Sequence, residues 1–299
     1  MSIHEPVLLK EVISYLNPQP NQNFIDCTFG GGGHALEILE RIKPEGKLIG
    51  IDWDVSAVQD SNNRNLILVN DNYKNLSKII KRLRDVHPLI AINGILLDLG
   101  LSSDQLGAGD RGFSFQGDGF LDLRFDPSSN DLTAAEILKS ASEEELIEIF
   151  KNYGDEPLAK PIARKIIALR KEGQKIETAD VLVQLVSSIY HRYFKKPSRH
   201  NPATRIFQAL RIAVNDEFNN IKTVLPQAID LLSPGGRLAV IAFHSGEDRI
   251  VKNFFRDEAK RDNPKIKLIT KKPTAADSEE VKNNPRSRSA RLRVVERIF

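Results

Sequence analysis

The sequence predicts an α/β protein, a Rossmann-like parallel sheet interrupted by an all-helical insertion. Three observations carry that expectation. Short apolar strands alternate with helical stretches over the first hundred residues, the pattern of a parallel sheet. A glycine turn, Asp26-Cys27-Thr28-Phe29-Gly30-Gly31-Gly32-Gly33-His34, joins an early strand to the helical run Ala35–Glu40. Residues 131–219 then read as helical throughout, and strands return only after them.

The first four strands are expected at Phe24–Asp26, Leu48–Asp52, Leu66–Asn70 and Gly94–Leu99. Residues 101–128 break the alternation with glycine, aspartate and aromatic residues, and a loop that long is more often functional than idle. Within the insertion, Ser142-Glu143-Glu144-Glu145 has capping-box spacing and Pro157 suits a helix's first turn. Thr178 is placed to cap a helix whose Val181, Leu182, Leu185 and Ile189 form one apolar face. The basic linker Lys195–His200 precedes a helix carrying Phe207, Leu210, Ile212 and Val214. A helix through Ile229 and Leu231, the turn Ser233-Pro234-Gly235-Gly236 and a strand Arg237–Phe243 restore the α/β pattern. Val294–Phe299 reads as a last edge strand. The expected division is 1–128 and 220–299 for the sheet, with 129–219 as a helical insertion suited to a large substrate.

Strand, glycine turn, helix, strand and acid build a nucleoside pocket: glycines admit the ligand close to the backbone, and Asp52 can accept from ribose hydroxyls. Asp26 precedes the first glycine by four residues, where it would repel a pyrophosphate and attract the ammonium of S-adenosylmethionine. Asp98 ends a third apolar strand with another carboxylate. These acids favour S-adenosylmethionine over a dinucleotide, although Gly30-x-Gly32-x-x-Ala35 also fits the relaxed dinucleotide pattern.

Composition narrows the class. With 299 residues, 40% of them hydrophobic and 28% charged, the chain is that of a soluble globular protein with ample core. It lacks an apolar run of membrane-spanning length, and its first residues lack the pattern of a signal peptide, so the cytoplasm is expected. A single cysteine, Cys27, excludes an internal disulfide and a cysteine-cluster zinc site; the scattered histidines have no metal-ligand spacing, so no metal is expected. The net charge of +3 is uneven. Residues 249–299 hold 15 Lys/Arg against 7 Asp/Glu, a net +8 that suggests a polyanion partner such as nucleic acid.

Five segments then resemble one family closely. They are His4-x-Pro6-Val7-Leu8-Leu9; Asp26-x-Thr28-x-Gly30-x-Gly32-Gly33-His34; Leu96–Ser103 with Gln105-Leu106 and Arg111–Phe115; Pro202-Ala203-Thr204-Arg205-x-Phe207–Ile212; and Phe243-His244-Ser245 with Glu247-Asp248-Arg249. The tail Asn284–Ala290 matches too. The chain resembles the bacterial ribosomal RNA small-subunit methyltransferase H family, formerly the MraW proteins. The resemblance implies a class I S-adenosylmethionine-dependent methyltransferase sheet. It also implies methylation of N4 of a cytidine in the decoding region (P site) of 16S rRNA, within the small ribosomal subunit. The family's cofactor positions fall on Gly32, Gly33, His34, Asp52, Tyr73, Asp98 and Gln105. Ala35, Phe120, Phe125 and Gly246 depart from the family pattern, with Gly246 standing where leucine is usual.

A cytosine amino group is a poor nucleophile, so acceptors near its N–H bonds would help localise the lone pair and take the proton. Asp98, Ser102, Ser103, Asp122 and His244 are the candidates, with no unique base among them. Cytosine C5 methylation usually needs a cysteine nucleophile, and Cys27 lies in the glycine turn. Phosphate contacts are expected from Lys195, Lys196 and Arg199 of the linker and from Arg286 and Arg288 of the tail. His34 also reads as a simple helix cap, and Phe113, Phe115 and Phe125 chiefly as core. Arg205 and Arg211 read as partners of acids on neighbouring helices.

Overall fold

A computed structural model describes residues 6–54, 63–85, 91–100, 111–113, 119–128, 131–194 and 201–299. The chain divides into two compact units, Met1–Ser102 with Phe218–Phe299, and Ser103–Glu217.

The first unit is built on a seven-stranded sheet. Strands β1 (Phe24–Asp26), β2 (Leu48–Asp52), β3 (Leu66–Asn70), β4 (Ile92–Asp98), β5 (Leu232–Ala242), β6 (Ile266–Leu268) and β7 (Arg291–Arg297) lie in the order β3-β2-β1-β4-β5-β7-β6. The first five pair in parallel, and β7 runs antiparallel to both β5 and β6. Because side chains alternate along a strand, each strand feeds two cores. Phe24, Leu48, Leu96, Ala239 and Ile241 face helices α1 (Leu9–Leu16) and α2 (Gly33–Ile42). Ile25, Ile49, Leu97, Leu238 and Val240 face the other way, onto α3 (Leu76–Arg84) and α9 (Glu217–Leu231). Chain order reverses about β1, between β2 and β4, and open α/β sheets bind ligands at the carboxyl ends of the strands at such a point.

Four strands fall where the sequence places them, to within two residues. The last third differs. β5 begins at Leu232 and runs through Ser233–Gly236, with a register shift against β4 between Ile92 and Gly94. The expected edge strand is not at an edge: β7 starts at Arg291 and lies inside the sheet, because β6 adds outside it. β6 is three residues long, follows Lys265 and carries Lys267, features that discourage further pairing along an open edge.

The second unit is helical: α4 (Ala134–Ser140), α5 (Glu143–Gly154), α6 (Ala159–Lys171), α7 (Ala179–Tyr193) and α8 (Thr204–Asn215). The Ser142 capping box is present. Thr178 does occupy the cap position of α7, but its hydroxyl bonds Asp180 instead of a backbone amide, and Pro157 lies before α6 rather than in its first turn. The unit starts at Ser103, so residues 111–113 and 119–128 group with the helices. Backbone pairing shows why: Leu121 N–H donates to Glu177 O, and Ala134 and Ala135 donate to Asp122 O and Leu121 O. Arg211 forks onto Glu217 at 2.7 and 2.9 Å, the expected pairing of an arginine with a neighbouring helix's acid.

Candidate functional site

The glycine turn leaves β1 and enters α2 with Gly30 and Gly32 at positive φ, 49° and 77°, a region that disfavours side chains. Phe29 N–H bonds Ile51 O, and Gly32 N–H bonds Phe29 O, which folds the turn back over β2. Gly32 takes the cap position of α2 and no side chain caps that helix, so its first amides face the turn. Gly33 is held tight as well, since a Cβ there would sit 3.1 Å from Pro6.

Carboxylates line the turn. Asp52 Oδ2 accepts Gly30 N–H at 2.7 Å and Oδ1 accepts Asp54 N–H at 2.8 Å, so the residue expected to hold ribose also fixes the glycine turn. The Trp53 amide bonds the carboxylate as well, and of its roughly four acceptor positions a remainder is left for a hydroxyl. Asp26 is buried at the end of β1; its Oδ1 accepts Thr28 N–H and, at 3.3 Å, the Thr28 hydroxyl. The same hydroxyl accepts Asp98 N–H at 2.7 Å, tying the ends of β1 and β4 together. Burial and the charge of Asp52 push Asp26 up to about 7 despite the bonds from Thr28. Burial, with Asp26 and Glu247 nearby, drives Asp98 well above the carboxylate range. Asp98 Oδ1 is buried and accepts no hydrogen bond from any described residue.

His34, on the first turn of α2, is buried; Nε2 lies 2.9 Å from Val7 O and Nδ1 lies 3.6 Å from Asp98 Oδ2. It does not cap α2. Tyr73, half-buried, starts a 3₁₀ turn just beyond β3 and packs on the sheet's core. Asn70 Nδ2 bonds the carbonyls of Asp52 and Trp53, which joins β3 to the acid end of β2.

His244 caps helix α10 (Ser245–Glu258). Its Nδ1 accepts the amides of Gly246 and Glu247 at 3.2 and 3.4 Å, while Glu247 Oε2 accepts those of Phe243 and His244. A nitrogen that accepts two N–H groups carries no proton, so the proton is on Nε2. Nε2 sits 3.1 Å from Glu247 Oε1 but out of line for a hydrogen bond. His244 therefore stands as a cap and donor rather than a base. Asp122, in the helical unit, is gripped by Arg124 at 2.7 and 2.8 Å. Burial would raise it, but those bonds hold it below the usual range, which makes it a weak base. Ser102, Ser103, Gln105, Lys195, Lys196 and Arg199 lie outside the described residues.

The basic tail splits. Arg286 and Arg288 are exposed on a 3₁₀ turn, Pro285–Ser289, anchored by buried Ser287, whose hydroxyl donates to Asn284 O. Arg293 is buried against Asp248 at 2.7 and 3.0 Å, and Arg297 bonds Ile229 O. The sequence reading missed Thr28 and Glu247 as site-shaping residues. The spacing His244-x-x-Glu247 is that of a capping box and could have shown the second.

Buried acids with an acceptor oxygen to spare, beside an uncapped glycine turn, fit a ligand with positive charge and ribose hydroxyls, and S-adenosylmethionine has both. A protein from Thermomicrobium roseum named ribosomal RNA small subunit methyltransferase H is 46% identical, over 99% of this chain and 94% of its own. One of the same name from Dictyoglomus thermophilum is 46% identical, over 99% and 97%. A solved rRNA methylase from Streptococcus thermophilus aligns over 97% of this chain and 94% of its own at 10% identity and a TM-score of 0.43. Residues 1–298 match the model of the MraW methylase family, and the chain belongs to that family.

Proposed function

We propose that this protein transfers a methyl group from S-adenosylmethionine to N4 of a cytidine in the decoding region (P site) of 16S rRNA, acting on the small ribosomal subunit in the cytoplasm. The observation that carries the reading is Asp98 Oδ1 at the end of β4, beside the glycine turn, buried and with no hydrogen-bond partner among the described residues. The names of the relatives support the rRNA substrate.

The bound cofactor supplies a methyl group already activated on a sulfonium. The protein's work is alignment and proton handling. Gly32 and Gly33 would open the turn to the cofactor, Asp52 would hold its ribose hydroxyls, and Tyr73 would help to hold it. Asp26 and Asp98 would offer negative charge to its sulfonium and ammonium. Asp98 Oδ1 accepts an N–H of the cytosine amine, which concentrates the nitrogen lone pair for attack and receives the proton as the N–CH₃ bond forms. Transfer to C5 is disfavoured, because burial and the Asp26 charge push the Cys27 thiol up and keep it from acting as a nucleophile. Arg286 and Arg288 contact phosphates, together with Lys195, Lys196 and Arg199.

Incubating purified small subunits from a strain lacking this gene with labelled cofactor, then digesting the rRNA to nucleosides for mass analysis, tests the reading. Label on N4-methylcytidine from the decoding region is expected. Label on another base, or tight NAD binding without S-adenosylhomocysteine binding in an equilibrium titration, would overturn it.

A further inference from the structure

The resemblance assigns His34 to the cofactor, yet the geometry points elsewhere. Its Nε2 lies 2.9 Å from Val7 O, and a carbonyl can only accept, so Nε2 carries a proton. That bond fixes the ring and turns Nδ1 toward Asp98 Oδ2, at 3.6 Å. The support beneath it is itself built. Leu8, in the left-handed region at φ 55°, gives its N–H to Glu280 Oε1 at 2.7 Å, and Pro6 rests on Gly33. The turn that holds His34 is thus pinned from two sides.

We propose that His34 is the positioning residue of Asp98: a proton on Nδ1 pairs with Oδ2, keeps Asp98 ionised, and leaves Oδ1 aimed at the amine. The inference rests on the reading of Asp98 as the proton acceptor. Asp98 faces Asp26 from β1 and Glu247 from α10, both of which disfavour its charge, so an opposite charge from α2 counts for much. The step balances. The amine nitrogen forms the N–CH₃ bond, the S–CH₃ bond breaks with its electron pair left on sulfur, and the amine proton passes to Asp98 Oδ1. No further reactant is needed. Asp98 then returns that proton to solvent as products leave, and the proton on His34 is never consumed.

The test compares His34→Gln with Asp98→Asn, both checked for folding by circular dichroism. Glutamine can still donate to Val7 O but offers Asp98 no cation. S-adenosylhomocysteine affinity of His34→Gln should stay within about threefold. Its kcat at pH 7 should fall about tenfold, and the acid limb of its pH profile should move up about one unit, which restores rate at high pH. Asp98→Asn should lose turnover at every pH. Weaker cofactor binding with an unmoved pH profile in His34→Gln would overturn the inference and return His34 to the cofactor. Unchanged kcat in Asp98→Asn would overturn both the acceptor reading and the inference built on it. If His34→Gln does not fold, ring ¹⁵N shifts of His34 in the wild type decide. Protonated Nε2 throughout, with Nδ1 titration displaced in Asp98→Asn, supports the pairing; an unprotonated Nε2 or an indifferent Nδ1 overturns it.

Discussion

Two strand–turn–helix junctions stand at the carboxyl end of the same sheet, and they treat their helix starts oppositely. The β5–α10 junction is closed: His244 and Glu247 cap four amides between them, and the Phe218 ring packs on His244 at 5.7 Å between centroids. The β1–α2 junction is open, with glycines at positive φ, no side-chain cap, and carboxylates whose lone pairs exceed their partners. A histidine sits at each. The one at the closed junction satisfies its own helix, whereas His34 at the open one reaches away from α2 to Val7 and Asp98. Among the described residues His244 Nε2 lacks a partner at the closed junction too, so the junctions differ in their helix amides, capped at one and uncapped at the other, more than in residue type.

Asp52→Ala should show the largest effect, because at the open junction one carboxylate serves both turn and ligand. Losing charge-assisted bonds to ribose costs about 1.5–3 kcal/mol, or roughly ten- to a hundred-fold in the S-adenosylhomocysteine Kd. The amides of Gly30 and Asp54 lose their acceptor as well. Calorimetric titration should show that loss while small-subunit affinity holds. An unchanged Kd would remove Asp52 from the site.

Gly246→Leu probes the closed junction. A Cβ at 246 would lie 2.5 Å from Phe218 Cζ and 3.2 Å from His244 Nδ1, so a leucine there overpacks the cap. The expected cost is about 1–3 kcal/mol, read as a lower Tm, with cofactor affinity little changed. Phe218→Ala should cost less Tm in the Gly246→Leu chain than in the wild type, because there it vacates contested space. Loss of cofactor binding as great as that of Asp52→Ala would mean that both junctions belong to one site.

Much of this contrast was legible in the sequence, and the remainder was hidden for definite reasons. The strands β1–β4, the glycine turn, Asp52 and Asp98 are local patterns, so order and spacing revealed them. The interior place of β7 depends on β6 pairing outside it, a non-local event that no window around Val294 can register. His244 looked like a candidate base because its type is catalytic; only the capping geometry shows where its lone pair is directed. The departure at Gly246 was visible, but its fit to the Phe218 ring required three dimensions.

Proton linkage sharpens the comparison further. Asp26 rises from 3.8 to about 7, so between those values the native protein binds a proton that the unfolded chain releases. Stability of the ligand-free protein should therefore fall as pH rises through that window. A cationic ligand favours the ionised acid, so S-adenosylmethionine should bind several-fold more tightly at pH 8 than at pH 6, with proton release. Titrations in buffers of different ionisation enthalpy would measure it, and Asp26→Asn should flatten the trend. A pH-independent Kd in the wild type would show that Asp26 does not face the ligand's charge.

The smallest effect concerns the tail, whose arginines differ in burial. Arg293 is buried on Asp248, in the first turn of α10, and Arg286 and Arg288 are exposed on a turn anchored by Ser287. Replacing Arg286 and Arg288 together with alanine should leave Tm and cofactor affinity in place. Binding to the small subunit should weaken modestly, and the slope of log affinity against log salt should flatten by about 1–2 for the two lost phosphate contacts. Arg293→Ala should do the reverse, lowering Tm because Asp248 is left half-buried without its partner, while the salt slope stays as it was. Equal salt slopes in wild type and the double variant would assign those two arginines to the protein's own surface rather than to RNA.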